Sequence, residues 1–224
     1  MFKEEVFEYN GYQAIVLIPD NFHGKWIWKT EFFYAFDQAE RALLEEGYIR
    51  VYYNISDKYG SPSAVNLMKQ FHDFIVDKFQ LNSKCILFGF SRGGLYAFNF
   101  AMEYPECVEK VYLDAPVLDL RTWPPKDSIE QNQMFKEYGF SEENFKSFQG
   151  HPINRLKEFF ELSLPLLIIA GTADEVVPYN KNAGMLIKYC NENNIPIEAI
   201  VKEKCNHHPH SLENVKPILT FVIQ

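Results

Sequence analysis

The sequence lacks any unbroken apolar stretch long enough to span a bilayer, so neither a transmembrane helix nor a membrane partner is expected. Its opening, "MFKEEVFEYNGY", is acidic and holds no apolar segment of signal-peptide length, and a cytoplasmic location is expected. Positive charge is in short supply: 22 Lys and Arg stand against 30 Asp and Glu, a formal net charge of −8. No basic stripe offsets that balance, and its field would repel a phosphate backbone, so no nucleic-acid partner is expected. Cysteine is sparse as well. Cys85, Cys107, Cys190 and Cys205 lie far apart, form no C-x-x-C pair and read as reduced thiols. No repeat or low-complexity tract breaks the 224 residues, a length that suits one α/β domain spanning 1–224.

What is present is a regular alternation. Short β-rich apolar runs at 12–19, 48–55, 85–90, 108–115, 164–171 and 197–204 are separated by stretches with helical periodicity. That pattern predicts a mostly parallel sheet with helices on both faces. "AIVLI" and "LLIIA" are apolar on both sides, as strands buried between helix layers are. "FKEEVFEYNGY" is expected to add an antiparallel edge strand. Helices are expected over 31–47 (ending at Gly47), 61–79 (capped by Ser61 with Pro62 in the first turn), 92–104 (stopped by Pro105), 180–194 and 214–224. Residues 119–162 break the rhythm with polar, aromatic and helix-forming sequence, and are expected to form a lid over the carboxyl edge of the sheet.

"GFSRG", residues 89–93, follows a buried strand and precedes a helix. A nucleophile on a very sharp strand-to-helix turn is pushed out above the sheet, and side chains two residues to either side would collide. Here those positions are Gly89 and Gly93, with Gly94 permitting a further close approach. The context makes Ser91 a candidate nucleophile rather than a simple helix cap. Serine needs a base, and the base needs an orienting acid. On such a sheet these follow in the order Ser, acid, His. Asp174, in "GTADEVVP" past one strand, is the favoured acid over Glu175 and Asp114; His207 is the favoured base over its neighbours His208 and His210 in "HHPH". Three histidines in four residues also raise the question of zinc. Adjacent His207 and His208 are expected to point apart on an extended segment stiffened by Pro209, so no metal and no cofactor is expected. His23, His72 and His151 read as surface or supporting residues.

With these motifs in place, the chain resembles the α/β-hydrolase fold. More narrowly, it resembles a bacterial group of alpha/beta hydrolases sharing "KWIWKTEFF", "YGSPSAV", "GFSRGGLYAFNFA", "YLDAPVLDL" with Trp123-Pro124, "GTADEVVP" and "HHPHSL". The resemblance covers nearly the whole chain. It implies the triad Ser91–Asp174–His207 and places "HHPH" at the mouth of the site. Asn206 departs from the pattern, in which glycine usually precedes the first histidine. The resemblance also gives "DNFHGKWIWK" a role, since this fold draws one oxyanion donor from that segment: Trp28 N–H is expected there, beside Arg92 N–H. Trp26, Trp123, His208 and His210 are expected to line the substrate site, and the Arg92 side chain to form an internal ion pair. The activity implied is a cofactor-free serine hydrolase acting on a small-molecule carboxylic ester, such as a short-acyl or carbohydrate ester. A peptidase or thioesterase would use the same triad, and a non-catalytic binding protein on this scaffold is the alternative from another class.

Overall fold

A computed structural model describes all 224 residues. Eight strands form one sheet: β1 (Phe2–Tyr9), β2 (Tyr12–Pro19), β3 (Trp26–Lys29), β4 (Ile49–Tyr53), β5 (Cys85–Phe90), β6 (Val108–Asp114), β7 (Leu166–Gly171) and β8 (Glu198–Lys202). Their spatial order is β1-β2-β4-β3-β5-β6-β7-β8. β1 pairs antiparallel with β2, and β2 antiparallel with β4, and every other pair is parallel. The chain moves left from β3 to β4, then crosses back to β5 on the right of β3. Such a reversal opens a crevice above the carboxyl ends of the two strands, where this architecture places its ligands.

The alternation of side chains along each strand sorts the sheet's apolar residues into two cores. Trp26, Trp28, Leu87, Val111, Leu113 and Ile168 face one side, covered by helices α2 (Pro62–Phe79) and α3 (Gly93–Glu103). Ile27, Ile86, Phe88, Phe90, Tyr112 and Ile169 face the other, covered by α1 (Gln38–Glu45) and α8 (Lys216–Ile223). Helix α2 starts where its sequence dictates, with Ser61 Oγ accepting from Ala64 N–H at 3.2 Å and Pro62 at the first position.

One expectation needs correcting, and one strand lies outside the expected runs. The 31–47 helix is only the eight residues of α1; residues 31–37 form a loop in which Phe32 and Phe36 take positive φ (55° and 51°). The short β3, too brief to stand out as an apolar run, precedes that loop.

The 119–162 insertion folds as α4 (Ile129–Tyr138), α5 (Glu142–Ser147) and α6 (Leu156–Glu161). Met134, Ile153, Leu156 and Phe159 join the main core, and Phe159 stacks on Phe98 of α3 at 4.5 Å. Tyr59 Oη donates to Gln133 at 2.7 Å, and Lys58 pairs with Glu137 at 3.0 Å, tying α4 to the β4–α2 loop. The insertion therefore continues the helical layer along α3. With α2 and α3 it encloses a groove of about 340 Å³ lined by Asn66, Asn99, Tyr138 and Phe148, and no triad candidate lines that groove. The remaining helix, α7 (Ala183–Glu192), follows β7.

Candidate active site

Ser91 sits directly after β5 with φ +50°, a left-handed conformation that costs a non-glycine residue about 1–3 kcal/mol. Its N–H donates to Asp114 O at 2.9 Å, and its carbonyl accepts from Val117 N–H at 2.9 Å and from Gly94 N–H at 2.9 Å, so the turn is held from three directions. The glycines each answer a measurable crowding. A Cβ at Gly93 would meet Thr30 Oγ1 at 2.7 Å, and one at Gly94 would meet Pro116 Cβ at 2.5 Å. At Gly89 it would lie 2.9 Å from Ala97 Cβ. The motif is thus a packing requirement of the bend.

His207 and Asp174 converge on this turn from the loops after β8 and β7. Asp174 Oδ2 lies 2.7 Å from His207 Nδ1, and His207 Nε2 lies 3.0 Å from Ser91 Oγ. An ionised carboxylate can only accept, so Nδ1 carries the proton and Nε2 is free to accept from the serine hydroxyl. The other carboxylate oxygen of Asp174 accepts from Val176 N–H at 3.0 Å and Val177 N–H at 2.8 Å, which fixes its orientation. Asn206 accepts at Oδ1 from His207 N–H (2.7 Å) and Glu175 N–H (3.4 Å), bridging the two loops. Glu175, the neighbouring alternative acid, is exposed.

Asp114 and His210, weighed above as alternative triad members, instead pair with each other. His210 Nδ1 is 2.7 Å from Asp114 Oδ1, and Asp114 Oδ2 accepts from Tyr112 Oη (2.6 Å) and Ser211 N–H (2.8 Å). Burial, together with this carboxylate, pushes the Tyr112 phenol well above its usual range. His210 is buried against Phe90 and Phe36 and braces the turn, so its expected place in the substrate site is not what the structure shows. His208 is exposed and stacked on Phe36 at 5.6 Å. Desolvation, followed by the neighbouring His210 and His207, holds it below the usual histidine range. His207 and His208 do not point apart: one ring nitrogen from each of His207, His208 and His210 falls within 4.8 Å of the others.

Trp28 and Trp26 require correction. Trp28 lies inside β3, its backbone in register with Val51 on one side and Leu87 on the other, and its ring is in the core against Phe71 and Phe100. It cannot present its N–H to a substrate. Trp26 is fully buried, with Nε1–H donating to Asn82 O at 2.8 Å. The W-x-W pattern is period-two core packing. The first N–H groups past β3 that no backbone carbonyl accepts are those of Glu31 and Phe32; Thr30 N–H is taken by Phe88 O at 3.1 Å. Arg92 N–H, at the start of α3, is likewise without a backbone acceptor. Trp123 is half-buried, its ring 6.2 Å from Tyr59. His72 and His151 are buried rather than superficial, and His23 is exposed.

The loop carrying Glu31 and Phe32 is held by groups the sequence did not flag. Lys29, Glu40 and Arg50 are almost wholly buried; Lys29 Nζ donates to Ala35 O at 2.6 Å, and Arg50 donates to Phe33 O and, at 3.0 Å, to Asp37. Arg92 pairs with Glu31 at 3.3 Å, as an internal ion pair. Burial raises the Glu31 carboxyl above its ordinary value, with Arg92 opposing. Asn182, fully buried, accepts at Oδ1 from Leu118 N–H (2.8 Å) and Asp119 N–H (3.0 Å) and donates to Thr122 Oγ1 (3.0 Å) and Pro178 O (3.1 Å). No periodicity or motif marks such residues in a sequence; their signal is polar type at a position that turns out to be buried.

A serine on a strand-to-helix bend above a mostly parallel sheet, hydrogen-bonded to an imidazole and through it to a carboxylate from later loops, is the arrangement of a serine hydrolase of the α/β-hydrolase fold. Solved structures agree on the fold. FphF, a fluorophosphonate-binding serine hydrolase of Staphylococcus aureus, superposes with a TM-score of 0.71 at 14% identity, over 92% of this chain and 91% of its own. Dipeptidyl peptidase 4 of Porphyromonas gingivalis gives 0.70 at 16% identity over 98% of this chain, and a puromycin-hydrolyzing peptidase of Mycobacterium tuberculosis 0.70 at 14% over 92%. The chain spans about a third of those two peptidases, 34% and 36% of their lengths. No curated protein matches it in sequence. Residues 38–223 match the model of the prolyl oligopeptidase family, and the chain belongs to that family.

Proposed function

We propose that this serine hydrolase is a peptidase that cleaves the amide bond of a small peptide through an acyl-enzyme on Ser91. Ser91 Oγ attacks the carbonyl carbon while its proton passes to His207 Nε2. The oxyanion that forms is held by Arg92 N–H and by an N–H of the Glu31–Phe32 segment, which takes the place first given to Trp28. Asp174 accepts from Nδ1–H, fixing the ring and offsetting the charge of the imidazolium. His207 then protonates the leaving amine, and the C–N bond breaks. Water, losing its proton to the same nitrogen, displaces Ser91 from the acyl ester. The observation that carries this reading is the continuous relay of 3.0 and 2.7 Å from Ser91 through His207 to Asp174, in a chain of the prolyl oligopeptidase family.

Ester hydrolysis is the second reading. It is supported by the chain's spanning only about a third of the two peptidases it superposes on. An alcohol leaves more readily than an amine, so the same residues serve both. A matched panel of an aminoacyl p-nitroanilide, a short peptide, p-nitrophenyl acetate and a thioester decides between them. Cleavage of the amides, abolished in Ser91→Ala, supports the peptidase. Turnover of esters alone moves the assignment to an esterase. Failure of a fluorophosphonate to label Ser91 removes both.

A further inference from the structure

The three histidines at 207, 208 and 210 form a cluster that the proposed acyl transfer uses only in part. We propose that His207, His208 and His210 together bind a zinc ion, and that the bound ion reversibly blocks the hydrolase by occupying the nitrogen that must accept the Ser91 proton. The inhibitory part rests on reading His207 as the base; the binding does not.

The geometry carries the site. One ring nitrogen from each histidine lies within 4.8 Å of the other two. A tetrahedral zinc with Zn–N bonds near 2.0 Å sets its nitrogens about 3.3 Å apart, so the rings close on an ion by moving roughly 1.5 Å. The partners of the two buried rings select which nitrogen each can offer. His207 Nδ1 is bonded to Asp174 and His210 Nδ1 to Asp114, each at 2.7 Å, so the nitrogen each ring can offer a metal is Nε2, that of His207 on giving up Ser91 Oγ at 3.0 Å. A carboxylate on the far nitrogen of a ligating histidine is the usual outer support of a zinc site, because it fixes the tautomer and raises the basicity of the ligand. Here two of the three ligands already have it. His208 bonds to no protein group through its ring, and Phe36 stacks on it at 5.6 Å. His208 and His210 ring centroids are 4.9 Å apart, and those of His207 and His210 4.8 Å. Three neutral imidazoles and one open position suit zinc and exclude magnesium and calcium, which require oxygen ligands. Water or Ser91 Oγ completes the fourth position. Coordination replaces the His207–Ser91 hydrogen bond and consumes no other group.

The test titrates zinc chloride into the intact protein against a chromophoric chelator and, in parallel, follows fluorophosphonate labelling of Ser91. The expected result is one zinc per chain, labelling that slows in proportion to occupancy and recovers with EDTA, and no response to magnesium. His208→Gln should weaken zinc binding about 10-fold or more, as losses around a metal centre do, and should shift the zinc dependence of labelling by the same factor. His208 is exposed, so the variant should keep its melting temperature; if it does not, protection and EDTA reversal in the unaltered protein read the same claim. Absence of stoichiometric binding, binding unchanged by His208→Gln, or occupancy without protection of Ser91 would overturn the proposal. Unaltered protein that never labels, even without metal, strikes the hydrolase reading instead and leaves the chelator titration standing.

Discussion

Asp174–His207 and Asp114–His210 make the same bond. In each, a buried carboxylate, Asp114 at the end of β6 and Asp174 in the loop just past β7, lies 2.7 Å from Nδ1 of a buried histidine. The two rings are 4.8 Å apart and belong to the same loop. Yet only His207 faces a hydroxyl, at 3.0 Å, while Asp114 accepts from two further donors and His210 wedges against Phe90 and Phe36. A buried Asp–His pair is therefore no signature of a base; the role is set by what the second nitrogen meets. The Asp114 pair also reaches Ser91, because Asp114 O accepts the Ser91 N–H.

The largest separation between the pairs should appear in rate. Ser91→Ala and His207→Gln should each lower kcat by about 10⁴ or more, and Asp174→Asn by about 10⁴, measured on whichever acyl substrate the panel identifies. Asp114→Asn and His210→Gln should cost far less, about 10- to 100-fold, through misplacement of the turn. Their larger effect should be on stability, about 3 kcal/mol in denaturant unfolding, since each leaves a buried partner unpaired. Equal rate losses for Asp114→Asn and Asp174→Asn would erase the distinction. A smaller contrast tests the reassigned tryptophan: Trp28→Phe should change kcat less than about 2-fold, whereas Trp28→Ala should lose about 3–5 kcal/mol by emptying core volume. Smallest is a pH effect. Burial opposes ionisation of Asp37, but hydrogen bonds from Arg41 and Arg50 outweigh it and hold the carboxyl below its usual value. Its stabilising share is present above its unfolded pKa of about 3.9 and is lost as pH falls through the lower folded one. Asp37→Asn should lower the melting temperature by about 3 °C at neutral pH and by less near pH 3, narrowing the gap between the proteins.

The sheet was legible because parallel strands buried on both faces advertise themselves as continuous apolar runs; β2 and β5 match the expected segments residue for residue. β3 was not, because four residues ending in a buried lysine break that signal. Missing β3 moved the oxyanion donor to Trp28. The relay residues Ser91, Asp174 and His207 could be read because strained turns and strand-end loops constrain residue type locally. Pairings such as Lys29–Glu40 and Asp114–His210 join residues 11 and 96 positions apart and leave no local mark.

Asn182 spends all its hydrogen-bonding capacity on two places at once, the root of the insertion at 118–122 and the Pro178 carbonyl of the loop that carries Asp174. Because it is wholly enclosed, neither side can shift without stranding one of its polar atoms away from water. Remodelling of the 119–162 segment would thus be felt at Asp174, because a single enclosed amide carries the strain from one to the other.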